Sequence, residues 1–110
     1  MTNPYRGEVC LRVNGEDLPL RLSLGALAEL EARLGEAGLL PLIERFESGA
    51  FKADDLIVLL LAGLNCAGWH GTETDLRAAR IDGGPLAAAK CAGQLLRVTF
   101  ALPEALETGG

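Results

Sequence analysis

The stretch Asp54-Asp55-Leu56-Ile57-Val58-Leu59-Leu60-Leu61-Ala62-Gly63-Leu64 decides the fold. After the two acidic residues it carries no polar side chain, so a helix formed by it has no face suited to water and must be buried. A membrane-spanning helix needs about 20 apolar residues, and this run is much shorter. The acidic pair suits the positive end of a helix macrodipole, which predicts a helix start there. We therefore expect this helix at the centre of a small soluble core.

Length and composition favour one helix-rich domain spanning residues 1–110. The chain has 110 residues, close to the usual domain size, and 49% of them are hydrophobic, which is enough to bury a core. Only 5% are aromatic, and the apolar residues are mostly Leu and Ala, which favour helices. The net charge of -5 argues against a nucleic-acid or anionic-membrane surface, because both require a basic field.

The three cysteines, Cys10, Cys66 and Cys91, are odd in number and contain no Cys-x-x-Cys pair. This pattern is typical of reduced thiols in a cytosolic protein and does not indicate a disulfide framework. Residues 1–6 include no apolar signal region. We therefore expect a cytoplasmic protein.

Residues 7–24 predict a β-hairpin, because two alternating apolar runs flank Asn14-Gly15, the strongest short hairpin signal. A two-residue loop fixes the register, so that paired residue numbers sum to 29. One face then carries apolar pairs and the other carries charge pairs of opposite sign, as cross-strand neighbours should. The pairs are Leu11 with Leu18, Val9 with Leu20, Arg12 with Asp17, and Glu8 with Arg21.

The two outer edges of the predicted hairpin differ. Pro19 falls at a non-hydrogen-bonded pair, so it blunts the outer edge of the second strand without breaking the ladder. On the first strand, Cys10 and Arg12 direct backbone groups outward with no such guard. An open strand edge is suited to pairing with another chain.

The rest of the chain predicts a bundle of four to five short helices over residues 24–101. The first follows the Ser23 cap, the fourth opens at a Thr72–Asp75 capping box, and the last begins at Pro85. The predicted helices span 24–34, 39–47, about 54–64, 72–80 and 85–100. We assign Leu86, Ala89, Gly93, Leu96 and Phe100 to a core stripe of the last helix, a loop to 64–71, and a flexible tail to 102–110. The fold class is α+β, with the hairpin packed on the helices.

Chemistry-bearing residues are few. Cys66 and His70 could supply two metal ligands, with Cys91 as a distant third, but zinc sites usually use tighter pairs and four ligands. His70 is the single histidine, and no Gly-x-Ser-x-Gly elbow or phosphate-binding glycine loop is present. We expect no enzymatic activity, no cofactor and no resident metal.

Four motifs carry a resemblance to a known family. They are Asn3-Pro4-x-Arg6-Gly7-Glu8, Leu24-Gly25-Ala26-Leu27-Ala28-Glu29-Leu30-Glu31, Arg45-Phe46-Glu47-Ser48-Gly49 and Asp55-Leu56. With them, the chain resembles the small tail proteins of bacterial gene transfer agents, which are phage-like particles that package host DNA. The family is described as a tail tube protein or a tail assembly chaperone.

The resemblance implies an assembly protein that binds the tape measure protein, shields its hydrophobic helices and recruits tail tube subunits. One alternative is a structural tail component retained in the particle, and another is a small-molecule or metal-binding module built on the Cys66–His70 loop. Self-association into a homo-oligomer is also open. The candidate interaction residues are Glu8, Cys10 and Arg12 on the strand edge, and Leu39 and Phe46 on the second helix.

Overall fold

The computed structural model describes residues 8–35 and 39–109, with side chains over 9–35 and 40–99. Over these described residues, two strands come first and five helices follow, which confirms the α+β class and the N-terminal hairpin. The elements are β1 (Glu8–Val13), β2 (Glu16–Arg21), α1 (Leu24–Leu34), α2 (Leu39–Ser48), α3 (Ala53–Cys66), α4 (Glu73–Ala78) and α5 (Gly84–Gly109).

The hairpin has the predicted register. The residue numbers of each cross-strand pair sum to 29, from Glu8 opposite Arg21 to Val13 opposite Glu16. Asn14 and Gly15 both have positive φ, as the two-residue turn requires. Val9, Leu11, Val13 and Leu20 are buried. The alternation of the sequence therefore sets both the pairing and the face that meets the helices.

The core lies between the hairpin and two long helices. β2 packs on α3, and β1 packs on α5, while α1, α4 and α5 surround α3. Gly63 sits where these layers meet: a Cβ at this position would lie 2.7 Å from Leu95 Cδ2 and 3.1 Å from Leu20 Cβ. The central helix can approach its neighbours this closely because it carries a glycine there.

The helix signals in the sequence are confirmed at three ends. The Ala26 N–H donates to Ser23 Oγ at 3.1 Å, and Gly35 closes α1 with a left-handed φ of 73°. At α4, Thr72 and Asp75 form the expected reciprocal capping box.

An ion pair fastens α2 to its neighbours. Arg45 Nη2 lies 2.7 Å from Asp55 Oδ2, and both side chains are largely buried. The Arg45 Nη1 group also donates to the Leu34 carbonyl at the end of α1, at 3.0 Å. Asp55 in turn accepts from the Lys52 N–H at the start of α3. The ends of α1, α2 and α3 are thus joined through two side chains.

The ends and faces of α3 and α5 differ from the predictions. Helix α3 runs to Cys66, so only part of 64–71 is a loop, and Ile57, Val58, Leu61 and Ala62 are half-buried on its outer side. Helix α5 continues to Gly109, past the predicted end near Phe100, in a stretch rich in Ala, Leu and Glu, which favour helix. Among the side chains of α5 that the structure describes, the buried apolar ones are Ala88, Cys91, Ala92, Leu95 and Leu96.

Candidate protein-interaction surface

The outer edge of β1 is guarded near the turn, so the expectation of an open edge is wrong there. Residues 80–82 lie alongside it: the Asn14 N–H donates to the Arg80 carbonyl at 2.7 Å, and the Asp82 N–H donates to the Arg12 carbonyl at 3.2 Å. Val13 and Ile81 form an isolated antiparallel bridge. This segment is not a regular strand, and the sequence pattern therefore gave no sign of it.

Arg12 is held by charge on both sides of the strand. Its guanidinium lies 3.2 Å from Asp17 on β2 and 3.4 Å from Asp82 on the covering segment. All three side chains are exposed, so each pair contributes little to stability. The backbone hydrogen bonds of residues 80–82 therefore hold this segment beside β1, and the Asp82 pair adds little to them.

Cys10 is exposed, and its carbonyl faces α5, where the Cys91 thiol lies 3.9 Å away. Burial raises the pKa of the Cys91 thiol to about 11, with a smaller contribution from Cys10. A neutral thiol is a weak nucleophile, so Cys91 acts as a small core residue. Glu8 begins β1 and Leu39 begins α2, and the side chains of both lie outside the described set.

Phe46, named as a candidate contact residue, belongs to the core. Its side chain is 3% exposed, and its ring stacks on Phe51 with the centroids 5.0 Å apart. A buried ring cannot be the outermost contact of a docked partner. It can, however, form the floor of a groove.

Such a groove runs between α2 and α5, with a volume of about 520 Å³. Its floor is apolar, and its rim carries charged and polar side chains. The lining residues from α5 are spaced three or four positions apart, so they lie on one face of this helix. The lining residues are Phe46, Glu47, Ser48, Gly49 and Phe51 from α2 and its following turn, and Leu86, Ala89, Lys90, Gly93, Gln94 and Arg97 from α5.

This groove explains why the predicted core stripe of α5 is only partly correct. Gly93 and Leu96 are buried as expected, but Leu86 is 74% exposed and Ala89 is half-buried beside the groove. The side chain of Phe100, the last residue of the predicted stripe, lies outside the described set. Helix α5 is apolar on two faces, and only one of them meets the hairpin and α3. This second apolar face is the sequence feature from which the groove could have been predicted.

The rim is charged on both sides. The guanidinium of Arg97 donates two hydrogen bonds to the Glu47 carboxylate, one of them at 3.1 Å, across one end of the groove. These bonds lower the pKa of Glu47. Lys90, one turn beyond Leu86, is exposed and forms no ion pair with any residue of the described chain.

The loop with Cys66 and His70 is a braced turn. Asn65 Nδ2 donates to the carbonyls of Trp69 and Gly71, at 2.8 and 3.3 Å, and the half-buried Trp69 ring packs against the core. His70 is exposed. Within residues 8–35 and 39–109, no three His, Cys, Asp or Glu side chains are grouped so that they could hold a metal ion.

Over the same two ranges, no helix combines the length and the apolar character needed to cross a membrane. No curated protein matches the chain, and no solved structure matches it. A family model described as "Phage tail tube protein, GTA-gp10" matches residues 6–102. That match covers the hairpin, α1–α4 and most of α5. It also contains the motifs that resemble gene transfer agent tail proteins, apart from the first three residues of the N-terminal one. The chain therefore belongs to the GTA-gp10 phage tail tube protein family.

Proposed function

We propose that this protein is a non-enzymatic tail assembly chaperone that binds the tape measure protein while the tail of a gene transfer agent is built. Membership of the family gives the chain a structural or morphogenetic role in a phage-like tail. The chaperone role rests on one observation, the open apolar groove between α2 and α5. Grooves of this kind bind the apolar face of an amphipathic helix, which is the type of segment that such a chaperone must shield.

The strand edge is a weaker docking site than the groove. Its turn end is occupied by residues 80–82, and the Cys10 carbonyl faces α5. Adding a partner strand along the whole of β1 would therefore require these contacts to be broken. At the other end of β1, Glu8 and Cys10 remain candidates for a shorter contact, while the main binding surface is the groove between α2 and α5.

A structural subunit retained in the particle is the second candidate, favoured by the description of the family as a tail tube protein. The two roles predict different locations. A chaperone acts in the cytoplasm, co-purifies with the tape measure protein and tail tube subunits before assembly, and is absent from finished particles. A structural subunit is present in finished particles in many copies.

The deciding experiment combines affinity purification of the tagged protein with mass spectrometry of purified particles. We expect the tape measure protein in the affinity eluate and no signal for this chain in particles. A stoichiometric signal in particles, together with no tape measure protein in the eluate, would replace the chaperone role with the structural one. A tagged, unrelated acidic protein of similar size controls for non-specific capture.

A further inference from the structure

We infer that the α2–α5 groove binds an amphipathic helix from another polypeptide, whose apolar stripe is flanked by a carboxylate that pairs with Lys90. This inference rests on the proposed function and adds the chemistry of the bound segment. It concerns the surface formed by Leu86, Ala89 and Gly93 over the Phe46–Phe51 stack.

The groove has the length of a short helix. From Leu86 to Arg97 the axis of α5 rises about 16 Å, or about three turns. Three turns hold apolar anchors at positions i, i+3 or i+4, and i+7, the pattern by which helices dock into grooves. The groove is an open trough along α5, which suits a helix better than a small molecule, since small ligands are usually largely enclosed.

The floor allows close approach. Ala89, half-buried, and Gly93, buried, lie four residues apart on α5 and form the bottom of a shallow strip between Leu86 at one end and Arg97 at the other. Beneath the strip, the stacked rings of Phe46 and Phe51 supply apolar surface. A partner helix can place its large side chains over the strip, while Leu86 packs against their flank.

Charge specifies the partner further. Arg97 is already bonded to Glu47, whereas Lys90 has no ion pair within the described chain and stands beside the apolar strip. A carboxylate one turn from the partner's apolar anchors would meet this ammonium group. The molecule has a net charge of -5, so its overall field disfavours acidic partners. The ammonium group of Lys90 attracts a carboxylate locally, and it therefore favours a partner helix that carries an acidic side chain at this point.

The described side chains of this chain do not supply a helix that fits the groove. Among the described side chains, the large apolar residues that are exposed are Leu24 on α1, Leu40 on α2 and Leu86 on α5. Over residues 9–35 and 40–99, these helices do not expose a pair of large apolar residues three or four positions apart, which a groove of three turns requires. Two copies would also bring together two molecules of charge -5.

The test uses the full-length protein and overlapping synthetic peptides that tile the tape measure protein, with binding measured by fluorescence anisotropy. We expect the binding peptides to carry apolar residues at i, i+3 or i+4, and i+7 with a flanking Asp or Glu, and to become helical when bound. Leu86→Glu should weaken binding about tenfold or more, because a charge would enter the apolar contact. Leu24→Glu, the matched exposed leucine on α1, should bind as wild type does.

Lys90→Glu should weaken binding up to about fivefold at low salt, as expected for an exposed ion pair. A peptide with its flanking acid changed to Lys should recover the loss against Lys90→Glu. Arg33→Glu makes the same charge change on α1 and serves as the control. Circular dichroism of each variant confirms that it is folded.

The outcomes separate the inference from the proposed function. If intact tape measure protein co-purifies equally with wild type and Leu86→Glu, the groove is not the site, while the chaperone role stands. If neither the intact protein nor any peptide binds wild type, both fail. If wild type forms a dimer in analytical ultracentrifugation and Leu86→Glu abolishes it, the occupant is a second copy and the inference is overturned.

Discussion

The thiol of Cys91 on α5 is buried where this helix contacts β1. Its ionisation should therefore change the free energy of unfolding of the protein. Its pKa is raised from the ordinary value of 9.0 to about 11, because burial disfavours the thiolate. The folded state therefore keeps its proton after the unfolded chain has lost it. The associated stabilisation is fully present below pH 9 and is lost as the pH rises from about 9 to about 11.

We expect wild type to lose roughly 1–3 kcal/mol more of its free energy of unfolding across that window than Cys91→Ala. The measurement is urea denaturation under reducing conditions at several pH values, with the variant supplying the contribution of all other titrating groups. The change in the free energy of unfolding with pH decides the test, since the substitution also changes packing, and therefore stability, at every pH. Parallel pH profiles for the two proteins would show that the thiol is not protected by burial.

Two buried glycines, Gly63 on α3 and Gly93 on α5, lie on helices that face each other. Alanine substitution is expected to affect the stability of the protein differently at the two positions. Replacing a helical glycine by alanine gains up to about 1 kcal/mol of helix propensity. At Gly93 the added methyl would lie 3.7 Å from Glu47 Cγ, an ordinary contact, so Gly93→Ala should stabilise the protein by about that amount. At Gly63 the methyl would come within 2.7 Å of Leu95 and 3.1 Å of Leu20. Overpacking of this kind typically costs about 1–3 kcal/mol.

Gly63→Ala should therefore be neutral to clearly destabilising, and less stable than Gly93→Ala by roughly 1–3 kcal/mol in chemical denaturation. Each variant is the control for the other, because both make the same substitution at a buried helical position. Equal stabilities would mean that α3 and α5 can separate without cost, and that the close approach at Gly63 is not a constraint of the fold.

The elements that were predictable from sequence are those with local signals. The Asn14-Gly15 turn and the alternation around it fix the hairpin register, and side-chain caps at Ser23 and Thr72 fix two helix starts. These signals act within a few residues and need no knowledge of the fold. The burial of the apolar α3 core residues follows equally from composition, because the run has no polar face.

The surface was harder to predict, since it depends on which elements meet. Helix α5 has two apolar faces, and the sequence does not say which of them will pack on the hairpin. The Arg80–Asp82 cover of β1 depends on a chain reversal far from β1 in sequence. Phe46 is buried, and its position beneath a groove depends on the packing of α2 against α5.

In the whole molecule, a buried apolar contact joins the hairpin to the helices, and the proposed partner surface is separate from that contact. The apolar face of the hairpin meets α3 and α5, and the groove lies on the other side of α5, against α2. A change in the groove can therefore alter binding without touching the hairpin contact. Changes in the hairpin core should instead act on the entire domain.

Leu20 tests whether hairpin and helices unfold together. Its side chain is fully buried and lies against Gly63 of α3, so Leu20→Ala should cost about 2–5 kcal/mol. The loss should be the same whether unfolding is followed by Trp69 fluorescence or by far-ultraviolet circular dichroism, because a small domain unfolds as one unit. Leu24→Ala, at a position 82% exposed, should stay within about 0.5 kcal/mol of wild type. Separate transitions for the two probes in Leu20→Ala would mean that the helices keep their structure after the hairpin has detached.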